Sequence, residues 1–123
     1  MTKGINRLLC VCWCCLFGNF SQASTTLDGA DGKITITPLV HSSVQLEYQG
    51  FVIQVDPWSA ISSSNYKSAD IILVTDNPGH HFDIKAIRSL SGPTTSVVAP
   101  ANSAARLDNA VIMANGETLN CKG

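Results

Sequence analysis

The stretch DIILVTDNPGHHFDIKAIRSL, residues 70–90, decides the fold class of this chain. It begins with a continuous apolar run of strand length, DIILV, which is typical of a strand covered on both faces. FDIKAIRSL, residues 82–90, then carries apolar side chains at helical spacing, with Asp83 at its start as a helix N-cap. A buried strand, a loop and an amphipathic helix in this order predict an α/β protein.

Three strands are predicted on the amino-terminal side of this stretch. Apolar and β-branched residues alternate with polar ones in KITITPLV (33–40), SVQLEY (43–48) and FVIQVD (51–56). Gln49-Gly50 fits a two-residue hairpin turn, because glycine supplies the positive φ that such turns require. These short connections predict an antiparallel β-meander, and the Ser-rich segment 58–69 after it is expected to be a surface loop.

Shorter elements are predicted on the carboxy-terminal side. Gly92-Pro93 is expected to end the first helix. A buried strand, a short helix and another strand then follow, namely TSVVA (95–99), ANSAARL (101–107) and AVIMA (110–114). Asn115-Gly116 and ETLN (117–120) are interpreted as the turn and first half of a further hairpin. The predicted order is a β-meander followed by βαβαβ, in one sheet with the helices on one side.

The composition is that of a core-forming globular domain. The chain has 123 residues, of which 45% are hydrophobic and 14% charged, so it has the length of one domain and enough apolar side chains for a core. Its formal net charge is −1, and no run of five or more Lys and Arg residues occurs. Nucleic acid is therefore not expected as a partner, because its phosphate backbone requires a basic surface.

The amino terminus has the three parts of a secretory signal peptide. Lys3 and Arg7 form a positive region, residues 8–17 form an apolar run, and SQA forms a small-residue cleavage site that ends at Ala23. The apolar run is shorter than the roughly 20 residues that a membrane-spanning helix needs. We therefore expect cleavage after Ala23 rather than a retained anchor. The mature protein is then secreted or periplasmic, without a stable membrane anchor.

This processing would also remove most of the cysteines. The apolar run contains Cys10, Cys12, Cys14 and Cys15, which we interpret as apolar filler rather than as a metal or disulfide cluster. Cys121 is then the cysteine that remains, so the mature chain would have no internal disulfide. The predicted division of the chain is a signal peptide at 1–23, a linker at 24–32 and a truncated domain at 33–123.

Side chains that bind metals are concentrated in the loop after the fourth predicted strand. Asp76, His80 and His81 could together bind Zn, or Mn or Fe, because imidazole and carboxylate are the usual ligands of such ions. A catalytic site needs three protein ligands and an open position for water, and this loop alone contains three. Adjacent histidines in a loop are also common as solvated or helix-capping residues, so the sequence leaves both interpretations open.

Three further residues are candidates for supporting this loop. His41, between the first two predicted strands, could add a ligand, or it could be an ordinary hydrogen-bonded histidine. Asp56 and Asp83 could each orient an imidazole through a hydrogen bond. The alternative for Asp56, which precedes Pro57, is a turn-forming residue, and the alternative for Asp83 is the helix N-cap.

Three segments carry a resemblance to a known family: ITITPLVHSSVQLEYQGFVIQVDPW (34–58), ADIILVT (69–75) with the His/Asp loop after it, and VVAP (97–100). Together they resemble the amino-terminal half of the metallo-β-lactamase fold, in its L-ascorbate-6-phosphate lactonase-like branch. His41 matches the histidine of the family's opening Gly-His-Ala/Ser turn, and Asp56 matches the aspartate of its Leu/Ile-Asp-Pro segment. The resemblance implies half of an αββα sandwich.

The family's metal-binding motif, Thr-His-x-His-x-Asp-His, is only partly matched. Asp76 stands at its first histidine and Pro78 at its second. His80 stands at its aspartate, and His81 keeps the type of its last histidine. Because proline has no donor atom, the resemblance implies a degraded first metal site and a second one that survives as the pair His80 and His81. The resemblance covers roughly residues 33–120.

The resemblance implies two alternative functions. The first is a secreted hydrolase of a small-molecule ester, lactone or phosphoester, in which Asp76, His80 and His81 bind the metal ion and Asp76 and His81 are catalytic. The alternative is a catalytically inactive, truncated module with a binding or scaffold role. In both cases half of a sandwich leaves one sheet face open. We therefore expect association with a second copy or with another chain.

Overall fold

The fold is built on one mixed β-sheet with two short α-helices. The computed structural model describes residues 23–120, and its strands are β1 (Thr25–Gly29), β2 (Gly32–Pro38), β3 (Val44–Tyr48), β4 (Phe51–Val55), β5 (Ala69–Leu73), β6 (Ser91–Ala99) and β7 (Val111–Ile112). The helices are α1 (Ile84–Leu90) and α2 (Ala101–Ala104), and a turn of 3-10 helix lies at Ser63–Asn65. The strands follow one another across the sheet in the order of the sequence.

Strand direction divides the sheet into two halves. The pairs from β1 to β4 are antiparallel, and the pairs from β4 to β7 are parallel. The turn between β3 and β4 is the predicted Gln49-Gly50 hairpin, since both residues have positive φ, 50° and 81°. In the parallel half, α1 joins β5 to β6 and α2 joins β6 to β7. The predicted α/β class, with a β-meander followed by βαβαβ, is confirmed.

The hydrophobic core lies between the parallel strands and the helices. Ile72 of β5 is completely buried and packs in one cluster with Ile87 and Leu90 of α1. Val97 and Ala99 of β6 belong to the same cluster, because side chains two residues apart on a strand share a face. We call this side of the sheet, on which Ile72, Val97 and Ala99 project, the helix face.

Two predicted boundaries near the strands are wrong. The predicted linker at 24–32 contains β1, whose polar residues are ordered by antiparallel pairing with β2 rather than by a pattern of their own. Gly92 and Pro93, predicted to separate α1 from the next strand, lie inside β6. The pairing of β5 and β6 shifts register at this point, and such a bulge tolerates a proline that cannot donate to the ladder.

The carboxy-terminal elements are shorter than predicted. Helix α2 has four residues instead of the seven predicted at 101–107, and the chain continues in tight turns in which Leu107 N donates to Ala104 O. Strand β7 has two residues. Residues 117–120 form no strand, so the predicted second hairpin is wrong. Glu117 instead accepts a hydrogen bond from Ala114 N at 2.8 Å, which closes a local turn.

Several predictions concern residues that the structure does not describe. The signal peptide lies almost entirely in residues 1–22, together with its four cysteines, and Cys121 lies beyond residue 120. Cleavage after Ala23 and export therefore stay predictions. Among residues 23–120, no helix is long and apolar enough to cross a membrane.

Candidate functional site

The candidate site lies at the carboxyl ends of β4 and β5. These two strands are parallel neighbours, so the residues that follow them reach the same edge of the sheet. Asp56 directly follows β4, and Thr75 follows β5 by two residues. His81 belongs to the loop between β5 and α1, which begins at the same edge. The fold therefore brings together three residues that are distant in sequence.

Asp56 is the central residue of this site. Its side chain is only 2% exposed, and its Oδ1 accepts a hydrogen bond from Thr75 N at 2.7 Å. Its Oδ2 accepts one from Thr75 Oγ1 at 2.5 Å and lies 2.7 Å from His81 Nδ1. The backbone is held as well, because Asp56 O accepts a hydrogen bond from Ser43 Oγ at 2.5 Å. Every one of these groups restricts the position of the carboxylate.

The backbone of Asp56 explains why an aspartate fits at this position. Its φ is 44°, in the left-handed region that most side chains avoid and that Asp and Asn adopt more readily. His41 also has a positive φ, 55°. Such conformations persist only where the surrounding structure holds them, and they are frequent at functional sites.

The contact with Asp56 fixes how His81 presents its ring. A carboxylate can only accept hydrogen bonds, so Nδ1 carries the proton that points to Asp56. The other ring nitrogen, Nε2, has no hydrogen-bond partner among the described residues, and the side chain is 26% exposed. In the neutral ring Nε2 then carries a free lone pair, which can bind a metal ion or accept a proton.

Two more histidines lie beside His81. The ring centroids of His80 and His81 are 4.5 Å apart, and those of His41 and His80 are 5.2 Å apart. Trp58 meets the His41 ring edge to face at 5.5 Å. Ser42 Oγ donates to His80 O at 2.8 Å and so joins the β2–β3 connection to this loop. The structure thus places His41 next to the predicted metal loop.

Asp76 does not join this histidine cluster. It is exposed, and its Oδ1 accepts a hydrogen bond from Asn77 N at 2.7 Å. The loop then turns at Pro78, whose carbonyl oxygen accepts hydrogen bonds from His81 N at 2.8 Å and Phe82 N at 2.9 Å. This turn directs His81 back toward Asp56 and leaves Asp76 on the outside.

The described residues do not complete a metal site. Within residues 23–120, no three His, Cys, Asp or Glu side chains are placed so that they could hold one ion together. His81 by itself has the surroundings of a metal ligand, with a carboxylate behind the ring and Nε2 free. Metal binding by Asp76, His80 and His81 as one set therefore stays a prediction.

Asp83 has a structural role, as one of its two interpretations predicted. Its Oδ1 accepts hydrogen bonds from Lys85 N and Ala86 N, so it is the N-cap of α1. Its Oδ2 accepts from Ser59 N at 2.9 Å and from Ser59 Oγ at 2.6 Å. Asp83 therefore ties the loop after β4 to the start of α1, and none of these hydrogen bonds involves a histidine ring.

Thr75 and Ser43 are the residues of the site that sequence reasoning missed. Both are common polar residues, and neither belongs to a ligand type that a search for metal sites would select. Their importance comes from hydrogen bonds to Asp56, which lies 19 residues from Thr75 and 13 from Ser43 in sequence. The one available signal was position, since Thr75 follows a buried strand at the sheet edge where sites form.

Comparison with known proteins identifies a solved structure with a similar fold. No protein-family model and no curated protein matches the chain. The chain is similar to a crystal structure of a protein from Parabacteroides distasonis ATCC 8503 that is assigned as a metal-dependent hydrolase. The two are 34% identical with a TM-score of 0.73, over 78% of this chain and 44% of that one. This chain thus spans less than half the length of that protein, and the two share a fold over the matched region.

Removing the cap at Asp83 is expected to destabilise the protein. Asp83→Ala should lower the free energy of unfolding by about 1–2 kcal/mol, because two α1 amides and Ser59 lose their acceptor. Urea unfolding followed by circular dichroism measures this change. Lys85→Ala in the first turn of α1 is the control, and a loss as large as that of Asp83→Ala would contradict a capping role.

The same residue gives a pH dependence. Partial burial works to raise the pKa of Asp83, but hydrogen bonds from the Ser59 side chain and amide, and from the Ala86 and Lys85 amides, outweigh it, so the pKa lies below its ordinary value of 3.8. The charged form therefore stabilises the folded state above pH 3.8, and this contribution is lost as pH falls through the lowered pKa. Asp83→Asn caps without titrating. Its stability deficit should shrink in strong acid, whereas a constant deficit would contradict the pKa shift.

Proposed function

We propose that this chain is part of a metal-dependent hydrolase of the metallo-β-lactamase type, which acts on a small-molecule ester, lactone or phosphoester. The observation that carries the proposal is the 2.7 Å contact between Asp56 Oδ2 and His81 Nδ1. A metal-binding histidine commonly donates its other ring N–H to a carboxylate, which fixes the tautomer and orients the ring. The likeness to an assigned metal-dependent hydrolase supports the same reaction class.

Each residue around His81 has a separate role in this proposal. His81 would bind the ion through Nε2, and the neighbouring His80 and His41 are the next candidate ligands. A divalent ion would supply Lewis acidity and lower the pKa of a bound water. Asp56 orients the His81 ring, and Thr75 holds Asp56 in place. Because residues 23–120 bring no three ligands together, the set would be completed by groups outside them or by a shift of these rings.

A catalytically inactive module with a binding or scaffold role is the second candidate. It is favoured by Asp76, whose carboxylate accepts a hydrogen bond from its own neighbour, Asn77, instead of facing the histidines. It is also favoured by Pro78, which has no donor atom. In such a module the pair of Asp56 and His81 would only stabilise the loop, so its loss would change stability and leave metal affinity unchanged.

Metal titration of the full-length chain tests the proposal. We expect one Zn²⁺ or Mn²⁺ ion per chain at this loop, and His81→Ala should weaken the affinity by at least about tenfold. Asp56→Asn keeps the ring and removes the carboxylate charge, so a loss of roughly 10- to 100-fold is expected. Asp28→Ala is the control, since this exposed carboxylate lies on β1, at the far edge of the sheet from the loop, and it should bind like wild type.

Metal titration and a turnover assay together distinguish the two candidates. All variants have the same cysteines, so zinc bound by cysteines contributes equally to each of them. A difference in metal affinity between variants therefore reports on the loop. Equal affinity in wild type and His81→Ala contradicts a metal site at His81. Turnover of ester, lactone or phosphoester substrates that is lost in His81→Ala and kept in Asp28→Ala supports the hydrolase. Metal binding with no turnover of any of these substrates favours the inactive module.

A further inference from the structure

We infer that one metal ion is bound by the three histidines of the candidate site, namely His41, His80 and His81. Trp58 is the residue that positions His41 for this role. This ligand set rests on the proposed function, and it differs from the predicted set because His41 takes the place of Asp76. The three imidazoles and the indole of Trp58 form a row in which each ring contacts the next. The row joins the β2–β3 connection to the loops after β4 and β5.

The spacing of the imidazoles fits a shared ion. A histidine nitrogen binds zinc at about 2.0–2.1 Å, which places the ring centroid about 3.2 Å from the ion. Two such rings, at an angle between about 90° and 120° around the ion, have centroids roughly 4.5–5.5 Å apart. The observed separations are 4.5 Å between His80 and His81 and 5.2 Å between His41 and His80. Both pairs are tilted, by 51° and 43°, so the rings are not stacked face to face.

The directions of the ring nitrogens are what a bound ion would change. As the side chains are placed, no three ligands among residues 23–120 could hold one ion together. Rotation about the Cβ–Cγ bond turns an imidazole and leaves its centroid nearly in place, and this torsion has a broad energy profile. His41 and His80 can turn without losing a hydrogen bond, because within the described residues none is made by their ring nitrogens. His81 is already oriented by Asp56, with Nε2 unpaired there.

Hydrogen bonds hold the backbones of the histidines at this spacing. Ser42 Oγ donates to His80 O at 2.8 Å, which ties the residue after His41 to the neighbouring loop. The turn that contains His41 is closed by a hydrogen bond of 2.8 Å from Ser43 N to Val40 O. His41 itself has a φ of 55°. A residue other than glycine keeps this conformation only where its surroundings hold it, and such residues are frequent at ligand sites.

Trp58 is held in place independently of the histidines. Its backbone N donates to Tyr66 Oη at 3.0 Å, and its backbone O accepts from the same hydroxyl at 2.9 Å. The next residue, Ser59, donates to Asp83 at the start of α1. The indole meets the His41 ring at 88°, with the centroids 5.5 Å apart, and aromatic rings favour this geometry. Trp58 therefore gives His41 a fixed neighbour, which restricts where its ring can lie.

Zinc titration of the full-length chain, followed by the NMR signals of the histidine ring nitrogens, tests the ligand set. The chain has three histidines, so each signal can be assigned by replacing one of them. We expect one nitrogen of each ring to shift, all three in step, as one Zn²⁺ ion binds per chain. A shift of His81 without one of His41 or His80 would overturn this ligand set and leave a metal site at His81. The absence of any shift would overturn both.

His41→Asn tests the new ligand by affinity. Asparagine adopts the left-handed conformation readily, so this variant removes the imidazole and keeps the backbone. We expect the Zn²⁺ affinity to fall by at least about tenfold, because one of three ligands is lost. Asp28→Ala is the control and should bind like wild type. Unchanged affinity in His41→Asn together with a loss in His81→Ala contradicts the ligand set, whereas unchanged affinity in His81→Ala contradicts the proposed function itself.

Two substitutions at Trp58 distinguish positioning of His41 from a purely structural role. Trp58→Phe keeps an aromatic ring beside His41, and Trp58→Ala removes it. We expect Trp58→Ala to weaken Zn²⁺ affinity by about three- to tenfold, and Trp58→Phe to stay within about twofold of wild type. Urea unfolding establishes that each variant is folded under the conditions of the titration. A folded Trp58→Ala chain that binds Zn²⁺ like wild type overturns the positioning role.

Discussion

Replacement of Asp56 by alanine is expected to lower the free energy of unfolding by about 3–5 kcal/mol, because at least two hydrogen bonds to a buried carboxylate are lost, each worth roughly 1.5–3 kcal/mol. The carboxylate is 2% exposed and accepts hydrogen bonds from the amide and hydroxyl of Thr75. Without it these two donors and His81 Nδ1 lose their acceptor, and unsatisfied buried groups cost about 1–3 kcal/mol each. Alanine also adopts the φ of 44° less readily than aspartate.

Asp56→Asn distinguishes the contribution of the backbone conformation at residue 56 from that of the carboxylate charge. Asparagine tolerates the left-handed conformation and keeps one acceptor oxygen for Thr75, so we expect about half of the alanine effect. Urea unfolding, extrapolated linearly to water, measures both variants. A double-mutant cycle with His81→Ala then isolates the coupling between the two side chains. A loss below about 1 kcal/mol in Asp56→Ala would show that the network around Asp56 does not stabilise the fold.

Replacement of Ile72 by alanine is expected to cost about 2–5 kcal/mol, because it leaves a cavity in a closely packed core. Ile72 is completely buried, in a cluster that includes Ile87 and Leu90 of α1. The same urea experiment measures the change. We expect an unchanged slope with denaturant and a lower midpoint, as for a variant that loses stability without changing how much surface unfolding exposes.

Ile53→Ala is the matched control for this prediction. Ile53 lies on the neighbouring strand but projects on the side of the sheet opposite the helices, where it is partly exposed. We expect a loss of about 1 kcal/mol, because less apolar area is removed from water. A loss equal to that of Ile72→Ala would contradict a core that lies on the helix face.

The local elements of the fold were largely predictable. Alternation of apolar and polar residues marked β2, β3 and β4 to within about two residues, and Gly50 marked the turn between the last two. Of the two interpretations of Asp83, the helix N-cap is confirmed. These features depend on neighbours in sequence, so a short window contains the information that specifies them.

The elements that failed lacked such local information. The segment TTLDG of β1 has no alternation that distinguishes it from a linker, and it becomes a strand because β2 lies beside it. Pro93 is typical of the end of an element, yet it lies in a strand. This is possible because the bulge leaves this position without a ladder hydrogen bond that would need a backbone N–H. In both cases a partner strand decided the outcome.

The candidate site also has features that the sequence predicts and features that depend on the tertiary structure. The sequence by itself determined the residue types of the site and their place at strand ends, including Asp56, His41, His80 and His81. Only the tertiary structure decided that Asp56, Thr75 and His81 form one network while Asp76 turns away. The reason is physical: Asp56 and His81 are 25 residues apart, and the parallel pairing of β4 with β5 is what brings their side chains within 2.7 Å.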